Sequence, residues 1–177
     1  MSEHNDLYHP NRTPLGQTIA RDAPQPPHTY RIGACICLFN PHDEMLIQQR
    51  HSGKTDWPGR WDISVSGLAQ PGETSQQTAT RELHEELGIH HDFSQTAPVL
   101  TLTHDDDMSC FDDYYLLHAA PNLAELTLQT EEVAAVRWAN LAAIHSLLAA
   151  GQFIPYHPAL LEYLFHRART GSVYHSP

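Results

Sequence analysis

Three carboxylates, Glu82, Glu85 and Glu86, are the residues of this sequence whose spacing points most directly to chemistry. On an α-helix, residues at i, i+3 and i+4 project from one face, so these like charges would repel each other. Lysines four residues further along usually offset such charges, but the residues that follow are Gly88, Ile89 and His90. Because oxygen ligands suit a hard cation, the cluster predicts a Mg²⁺ or Mn²⁺ site. The alternative is a solvated acidic helix face.

A glycine-containing loop precedes these carboxylates. Gly67 and Gly72 allow its backbone to approach a ligand closely, and Glu73 adds a fourth carboxylate. Arg81 can brace these acids from within the same segment. The loop and the carboxylates together favour a metal site over a solvated face.

A helix from Thr74 to Leu87 must hold the carboxylates in place. Thr74 and Gln77 form a capping box, and Gly88 stands where a helix C-cap belongs. Leu83 and Leu87 lie on a different face from the carboxylates and can point into the core.

The other predicted elements are strands, with two further helices near the end of the sequence. Runs of strands with few interposed helices predict an α+β domain on a mixed sheet. Residues 1–29 are interpreted as a polar leader with a short hairpin across NRTPLG, and residues 30–177 as one domain. On a strand, Cys35 and Cys37 would share one face and pack. The predicted strands are 31–40, 44–50, 61–66, 99–103, 114–118 and 133–139, and the helices are 141–150, capped by Asn140, and one that begins at Pro158.

Composition excludes several classes of protein. The 177 residues are 41% hydrophobic and carry a formal net charge of −11, which argues against non-specific binding to nucleic acid. No apolar run reaches the roughly 18 residues of a membrane helix. The first residues lack the apolar core of a secretory signal, and three cysteines are too few for a disulfide framework. We therefore expect a cytoplasmic monomer or homodimer.

The segment GLAQPGETSQQTATRELHEELGI, residues 67–89, resembles the Nudix box at every specified position. The matching residues are Gly67, Glu73, Arg81, Glu82, Leu83, Glu85, Glu86, Gly88 and Ile89. The resemblance implies the Nudix fold, a mixed β-sheet sandwiched between α-helices. It also implies Mg²⁺-dependent cleavage of a small-molecule diphosphate linked to another group.

From about residue 30 to 141 the sequence also resembles the Nudix branch that includes isopentenyl-diphosphate isomerase. The markers are CLFN, LIQQR, Lys54, WPG, WD and EEVAAVRW. The isomerase needs a cysteine before the box glycine and a histidine after it, where this sequence has Ser66 and Leu68. Its catalytic glutamate falls near Phe111, with Asp112 and Asp113 adjacent. These departures favour a hydrolase.

The resemblance implies roles for individual residues. The metal ligands are Glu82, Glu85, Glu86 and the Gly67 carbonyl, while Glu73 either contacts metal or braces Arg81. The candidates for the general base are Glu86, Glu131 and Glu132, with ordinary surface charge as the alternative for the last two. Arg50 and Lys54 match diphosphate contacts of the isomerase, with a surface pair as the alternative. Trp61 and Trp57 either stack on substrate or support the loop. Apart from the resemblance, the acidic run Asp105, Asp106, Asp107, Asp112 and Asp113 is interpreted as a solvated loop, with recruitment of extra metal as the alternative.

Three functions follow from these observations. The first is a Mg²⁺-dependent pyrophosphohydrolase acting on a nucleoside diphosphate derivative or another organic diphosphate. The second is an isomerase of isoprenoid diphosphates. The third is a non-catalytic module that binds a phosphometabolite, although such modules tend to lose the box carboxylates that this sequence keeps.

Overall fold

A computed structural model describes residues 3–105 and 108–173 of the chain. The predicted α+β class is confirmed, since one large sheet and three α-helices are present in the described residues. The strands are β1 His4–Tyr8, β2 Pro14–Ala20, β3 Arg31–Phe39, β4 Met45–Arg50, β5 Trp61–Asp62, β6 Val65–Leu68, β7 Leu100–His104, β8 Cys110–His118 and β9 Val133–Ala139. The helices are α1 Ser75–Leu87, α2 Leu141–Ala149 and α3 Pro158–Thr170, with a 3₁₀ turn at Leu123–Glu125.

The strands form a two-stranded sheet, β1-β2, and a seven-stranded sheet with the order β5-β4-β3-β8-β7. In the larger sheet, β6 also pairs with β3 and β9 with β4. The chain divides into two compact units, and β3, β6, β8 and α1 contribute residues to both. Of the described residues, the first unit contains 3–35, 66–82, 90–105 and 108–115, and the second contains 36–65, 83–89 and 116–173.

The first unit contains the β1-β2 hairpin at the start of the chain. His4 pairs with Ala20 and Tyr8 with Pro14, and the hairpin buries Asn5, Leu7 and Tyr8. Tyr8 belongs to an apolar cluster whose other members are Tyr30, Ile32, Ala69 and Phe111. The hairpin therefore contributes side chains to the core of this unit.

The second unit is built on β4, which is buried along its first four residues. This strand pairs antiparallel with β9 from Met45↔Ala139 to Arg50↔Val133. Asn140 caps α2 as predicted, because its side chain accepts a hydrogen bond from the Ala143 amide. Phe165 of α3 packs edge-on against Phe39, with ring centroids 4.9 Å apart.

The single strand predicted over 61–66 is wrong, because the chain bends at Ile63 and Ser64 and forms β5 and β6 instead. The Ser64 hydroxyl donates to the Leu46 carbonyl at 2.6 Å and accepts from the Leu38 amide at 2.8 Å. The Asp62 carboxylate accepts from the Ile63 amide at 2.7 Å. These side-chain hydrogen bonds compete with the regular ladder and divert the backbone.

The interpretation of the acidic run as a solvated loop is wrong for Asp112 and Asp113, which lie in β8, whereas Asp105 is exposed and outside a strand, as expected. Asp113 lies in β8 and is only 1% exposed. Its carboxylate accepts hydrogen bonds from Arg12 at 2.9 Å, Ser75 at 2.5 Å and Thr101 at 2.6 Å. Asp105 is exposed and accepts from the Tyr30 hydroxyl, whereas Asp106 and Asp107 lie outside the described residues.

The predicted packing of the two strand cysteines is confirmed. Cys35 and Cys37 lie in β3 and are 6% and 0% exposed. Burial raises the pKa of the Cys37 thiol, and the charge of Asp62 raises it further. Cys37 is therefore a protonated core residue.

Candidate active site

Helix α1 presents the three predicted carboxylates from one face because of their i, i+3, i+4 spacing, and local capping determines where the helix begins and ends. The Thr74 amide donates to the Gln77 side chain at 2.8 Å, and the Gln77 amide donates to the Thr74 hydroxyl at 3.3 Å. This is the predicted capping box. The helix ends at Leu87, and Gly88 adopts a φ of +70°, which favours glycine.

The burial of α1 separates its core face from its carboxylate face. Leu83 and Leu87 are fully buried, as predicted. Glu85 is exposed, Glu82 is half-buried and Glu86 is 5% exposed. The helix therefore holds one carboxylate at the surface and the next one in the interior, although the two residues are only about 1.5 Å apart along its axis.

Arg81 joins the loop and the helix within the first unit. Its guanidinium binds Glu73 through Nε at 2.8 Å and Nη2 at 2.9 Å, and it donates to Glu82 Oε1 at 2.8 Å. It also donates to the Leu68 carbonyl at 3.2 Å. One cation thus fixes two of the carboxylates and the backbone that follows Gly67.

The electrostatics of Glu73 match this bracing arrangement. Burial by itself would raise the pKa of Glu73, but hydrogen bonds from Arg81 and from the Gln70 amide outweigh it. The pKa of Glu73 is therefore lowered, and its carboxylate is ionised when it binds Arg81.

Gly67 lies directly against the Glu82 carboxylate. A Cβ at position 67 would overlap Glu82 Oε1 and would lie 2.7 Å from Glu82 Cγ. A side chain at this position would push Glu82 aside, so glycine is required by close approach. The Gly67 backbone and the Glu82 carboxylate are thereby held next to each other.

Glu86 is positioned by a residue that the sequence did not single out. Gln48 of β4 is 3% exposed and donates through Nε2 to Glu86 Oε2 at 2.9 Å. The only sequence signal for Gln48 is an amide side chain that directly follows the three apolar residues at the start of β4. The residues after the 3₁₀ turn are also tied to α1, since the Gln129 amide donates to the Glu86 carbonyl at 3.1 Å.

Two residues predicted for separate roles, Lys54 and Glu132, form an ion pair in the second unit. Glu132 also accepts a hydrogen bond from the His51 amide through its backbone carbonyl at 2.8 Å. The Glu132 amide donates to the Gln129 carbonyl at 2.9 Å, and this is the residue bonded to the Glu86 carbonyl. The Glu132 loop is therefore anchored to the same helix end as Glu86, whereas Glu131 is exposed.

Of the remaining predicted contacts, Trp61 lines a polar cavity of about 380 Å³ in the second unit. Its ring is covered by the Arg137 guanidinium, 4.5 Å from the ring centroid. Arg50 lies outside the lining, where it donates to the Asp56 carbonyl at 2.9 Å and faces Asp62 at 3.8 Å. The lining residues are Gln49, Pro58, Gly59, Arg60, Trp61, Gly151 and Gln152.

Arg60 is a second residue that sequence reasoning missed. It lines the cavity, donates to the Gly151 carbonyl and lies 5.3 Å from the ring centroid of Trp57. Trp57 is 44% exposed. The signal for Arg60 was its place between two tryptophans in WPGRW, which allows a stacked cation.

Comparison with known families gives a match over most of the chain. A family profile described as the NUDIX domain matches residues 29–161. An uncharacterised Nudix hydrolase of Listeria monocytogenes is 40% identical over 154 residues, which are 87% of this chain and 89% of that protein. An isopentenyl-diphosphate Delta-isomerase of Klebsiella pneumoniae is 34% identical over 117 residues, 64% of this chain and 62% of the isomerase.

Solved structures show the same fold. A protein of Deinococcus radiodurans superposes with a TM-score of 0.72 at 23% identity, covering 94% of this chain and 99% of that one. A MutT protein of Methanosarcina mazei superposes with a TM-score of 0.62 at 19% identity, covering 84% and 99% of the two chains. In residues 3–105 and 108–173, no helix has the length and apolar character to cross a bilayer.

Proposed function

The chain belongs to the NUDIX domain family of hydrolases that act on pyrophosphate bonds, and we propose that it cleaves a nucleoside diphosphate derivative or another organic diphosphate with Mg²⁺. The observation that carries this proposal is the carboxylate face of α1, with Glu82 braced by Arg81 against Gly67. Divalent metal use is typical of the family. The choice of Mg²⁺ rests on the donor set, which consists of oxygen atoms alone.

The donor set fits a hard cation. Glu82, Glu85 and Glu86 supply three carboxylates, and the Gly67 carbonyl supplies a fourth oxygen beside Glu82. Glu73 is bound to Arg81 through both of its oxygens, so we assign it to bracing. A cation held there would polarise the phosphoryl oxygens of the substrate and lower the pKa of an attacking water.

The residues around this donor set orient its carboxylates and accept the proton of the attacking water. Gln48 fixes the rotamer of Glu86, and Arg81 fixes that of Glu82. We assign the general base to Glu132, because its loop is bonded to the Glu86 backbone at the end of α1 that carries the carboxylates. A general base must lie within hydrogen-bond reach of the water it deprotonates.

The substrate's phosphates and leaving group would meet cations and an aromatic ring in the second unit. Arg50 and Lys54 are the proposed phosphate contacts, and Trp61 lines the cavity with Arg60. Arg50 faces Asp62 and Lys54 is paired with Glu132, so substrate phosphates would compete with these carboxylates for the two cations. The proposed substrate is a small diphosphate.

The test is a phosphate-release screen over nucleotide, sugar-nucleotide, isoprenoid and coenzyme diphosphates with Mg²⁺ or Mn²⁺. We expect turnover of at least one diphosphate class, and loss of turnover when the metal is chelated. Glu132→Gln should lower kcat without changing metal affinity, and exposed Glu131→Gln is its matched control. Tight binding of a diphosphate without turnover would favour the binding-module alternative instead.

Mg²⁺ is expected to raise the free energy of unfolding by ordinary linkage, since it binds the assembled carboxylates and not the unfolded chain. At a hundredfold excess over its dissociation constant the gain is about 2.7 kcal/mol. Thermal melts in Mg²⁺ against the same ionic strength of K⁺ measure it. A melting temperature that ignores Mg²⁺, or a Glu85→Gln/Glu86→Gln double variant that responds like wild type, would contradict the metal site.

The Ser66→Cys variant is expected to gain no isomerase activity, because proton transfer at carbon needs an acid and a base on opposite faces of the substrate. The missing glutamate position holds Phe111, which is 5% exposed and stacks on Tyr30 at 4.7 Å. Two residues further on, the Asp113 carboxylate already accepts hydrogen bonds from Arg12, Ser75 and Thr101. Solvent deuterium in recovered isopentenyl diphosphate, from wild type or the variant, would overturn this interpretation.

A further inference from the structure

The β7-β8 hairpin brings together three side chains that the proposed hydrolysis does not use. His104 ends β7 and pairs directly with Cys110, which begins β8, and Asp112 follows two residues later. Because side chains two residues apart on a strand share a face, Cys110 and Asp112 project to the same side. One ligand atom from each of His104, Cys110 and Asp112 lies within 4.8 Å of the other two.

The cluster is compact because a glycine of β3 makes room for it. A Cβ on Gly33 would overlap Asp112 Oδ1 and lie 3.3 Å from Cys110 Sγ. His104 Nε2 and Asp112 Oδ2 are already 3.1 Å apart. Zinc–ligand bonds of about 2.0–2.3 Å place neighbouring ligand atoms about 3.5 Å apart, so small side-chain rotations suffice to close the set.

The chemistry of this set differs from that of α1. A thiolate and an imidazole select borderline or soft cations such as Zn²⁺, whereas an all-oxygen set selects Mg²⁺. The thiol of Cys110 is buried, while the side chains of His104 and Asp112 are 39% and 24% exposed. An ion can therefore enter from the His104 side and reach the thiol beneath it.

We propose that His104, Cys110 and Asp112 form a Zn²⁺ site and are the three ligands that the described residues supply to it. Binding replaces the proton on the Cys110 sulfur, which is released to solvent, and the ion clips β7 to β8. Phe111 and Asp113 alternate to the opposite side of β8. None of the three ligands has a role in the proposed hydrolysis.

The test is a Zn²⁺ titration of chelator-stripped protein against a chromophoric competitor, in excess Mg²⁺ so that the α1 carboxylates are occupied. We expect one equivalent to bind. His104→Ala, Cys110→Ser and Asp112→Asn should each weaken binding by more than about tenfold, since even a residue behind a ligand contributes that much. His118→Ala and Cys37→Ala are matched imidazole and thiol controls, and they should bind like wild type.

Substitution with Co²⁺ identifies the thiolate ligand. Wild type and Glu85→Gln should both show a sulfur-to-cobalt charge-transfer band, and Cys110→Ser should lack it. Because His104 is partly exposed, His104→Ala should fold normally, and Zn²⁺ should raise the melting temperature of wild type but not of this variant. Two results would overturn the proposal. One is that no Zn²⁺ binds in excess Mg²⁺, and the other is that His104→Ala and Cys110→Ser bind Zn²⁺ with wild-type affinity.

Discussion

Glu86→Gln and Glu85→Gln are each expected to lower turnover of a good substrate by about 10²-fold or more, because each removes a ligand charge from the metal site. Both variants should fold. Glu85 is exposed, and a glutamine at 86 can present its carbonyl oxygen to Gln48 and so keep the 2.9 Å hydrogen bond. Losing one of three like charges on a helix face also relieves repulsion.

The measurement is kcat over a range of Mg²⁺ concentrations, with the melting temperature of each variant as a check on folding. Glu162→Gln is the matched control, since Glu162 is an exposed glutamate on α3, and its turnover should equal that of wild type. Near-wild-type rates for both Glu85→Gln and Glu86→Gln would show that the metal assignment is wrong.

Asp113→Ala is expected to cost about 3 kcal/mol of unfolding free energy, the lower end of the range for breaking a buried pair. Asp113 accepts from Arg12, Ser75 and Thr101, and Ser75 is also bonded to the Tyr115 hydroxyl at 2.7 Å. Removing the carboxylate takes away the hydrogen-bond acceptor that these three donors share. The lower end applies because the Arg12 side chain is 35% exposed and can turn to water.

The same carboxylate makes stability depend on pH. Burial by itself would raise the pKa of Asp113, but its hydrogen bonds and the charge of Arg12 outweigh it, so the pKa is lowered. A lowered folded-state pKa contributes stability above the unfolded value of about 3.9, and that contribution is lost as pH falls through the folded value. The difference in unfolding free energy between wild type and Asp113→Asn should therefore decrease below about pH 4.

Denaturant unfolding at several pH values measures both effects. Asp43→Asn is the control, because Asp43 is exposed at a φ of +58°, a conformation that asparagine tolerates. Two results would refute the buried ion pair. One is a loss of less than about 1 kcal/mol of unfolding free energy for Asp113→Ala, and the other is a difference in unfolding free energy between wild type and Asp113→Asn that does not change with pH.

The carboxylate face of α1 could be predicted from the sequence because every determinant is local. The capping residues Thr74 and Gln77, the terminator Gly88 and the spacing of the three glutamates all act within one helix. Helical geometry then dictates which side chains share a face, whatever the helix packs against. The order and type of most elements followed from apolar patterns for the same reason.

The partners of these residues were decided by tertiary structure alone. Asp113 meets Arg12 across 101 positions of sequence, and Glu86 meets Gln48 across 38. The charge pattern predicted a solvated loop at Asp113, because no residue near it in the sequence indicates that the Arg12 guanidinium will bind it. Such pairs depend on which strands and turns come together.

The break of the 61–66 strand and the cluster on the β7-β8 hairpin have the same origin. Ser64 diverts its backbone only because the backbones of Leu38 and Leu46 offer it hydrogen bonds. His104 and Cys110 become neighbours only through the register of the hairpin. The sequence by itself determined the helix that carries the chemistry, whereas register and long-range packing determined what orients, neutralises and surrounds it. Local spacing sets the direction of a side chain, but only the folded chain supplies the atom that it meets.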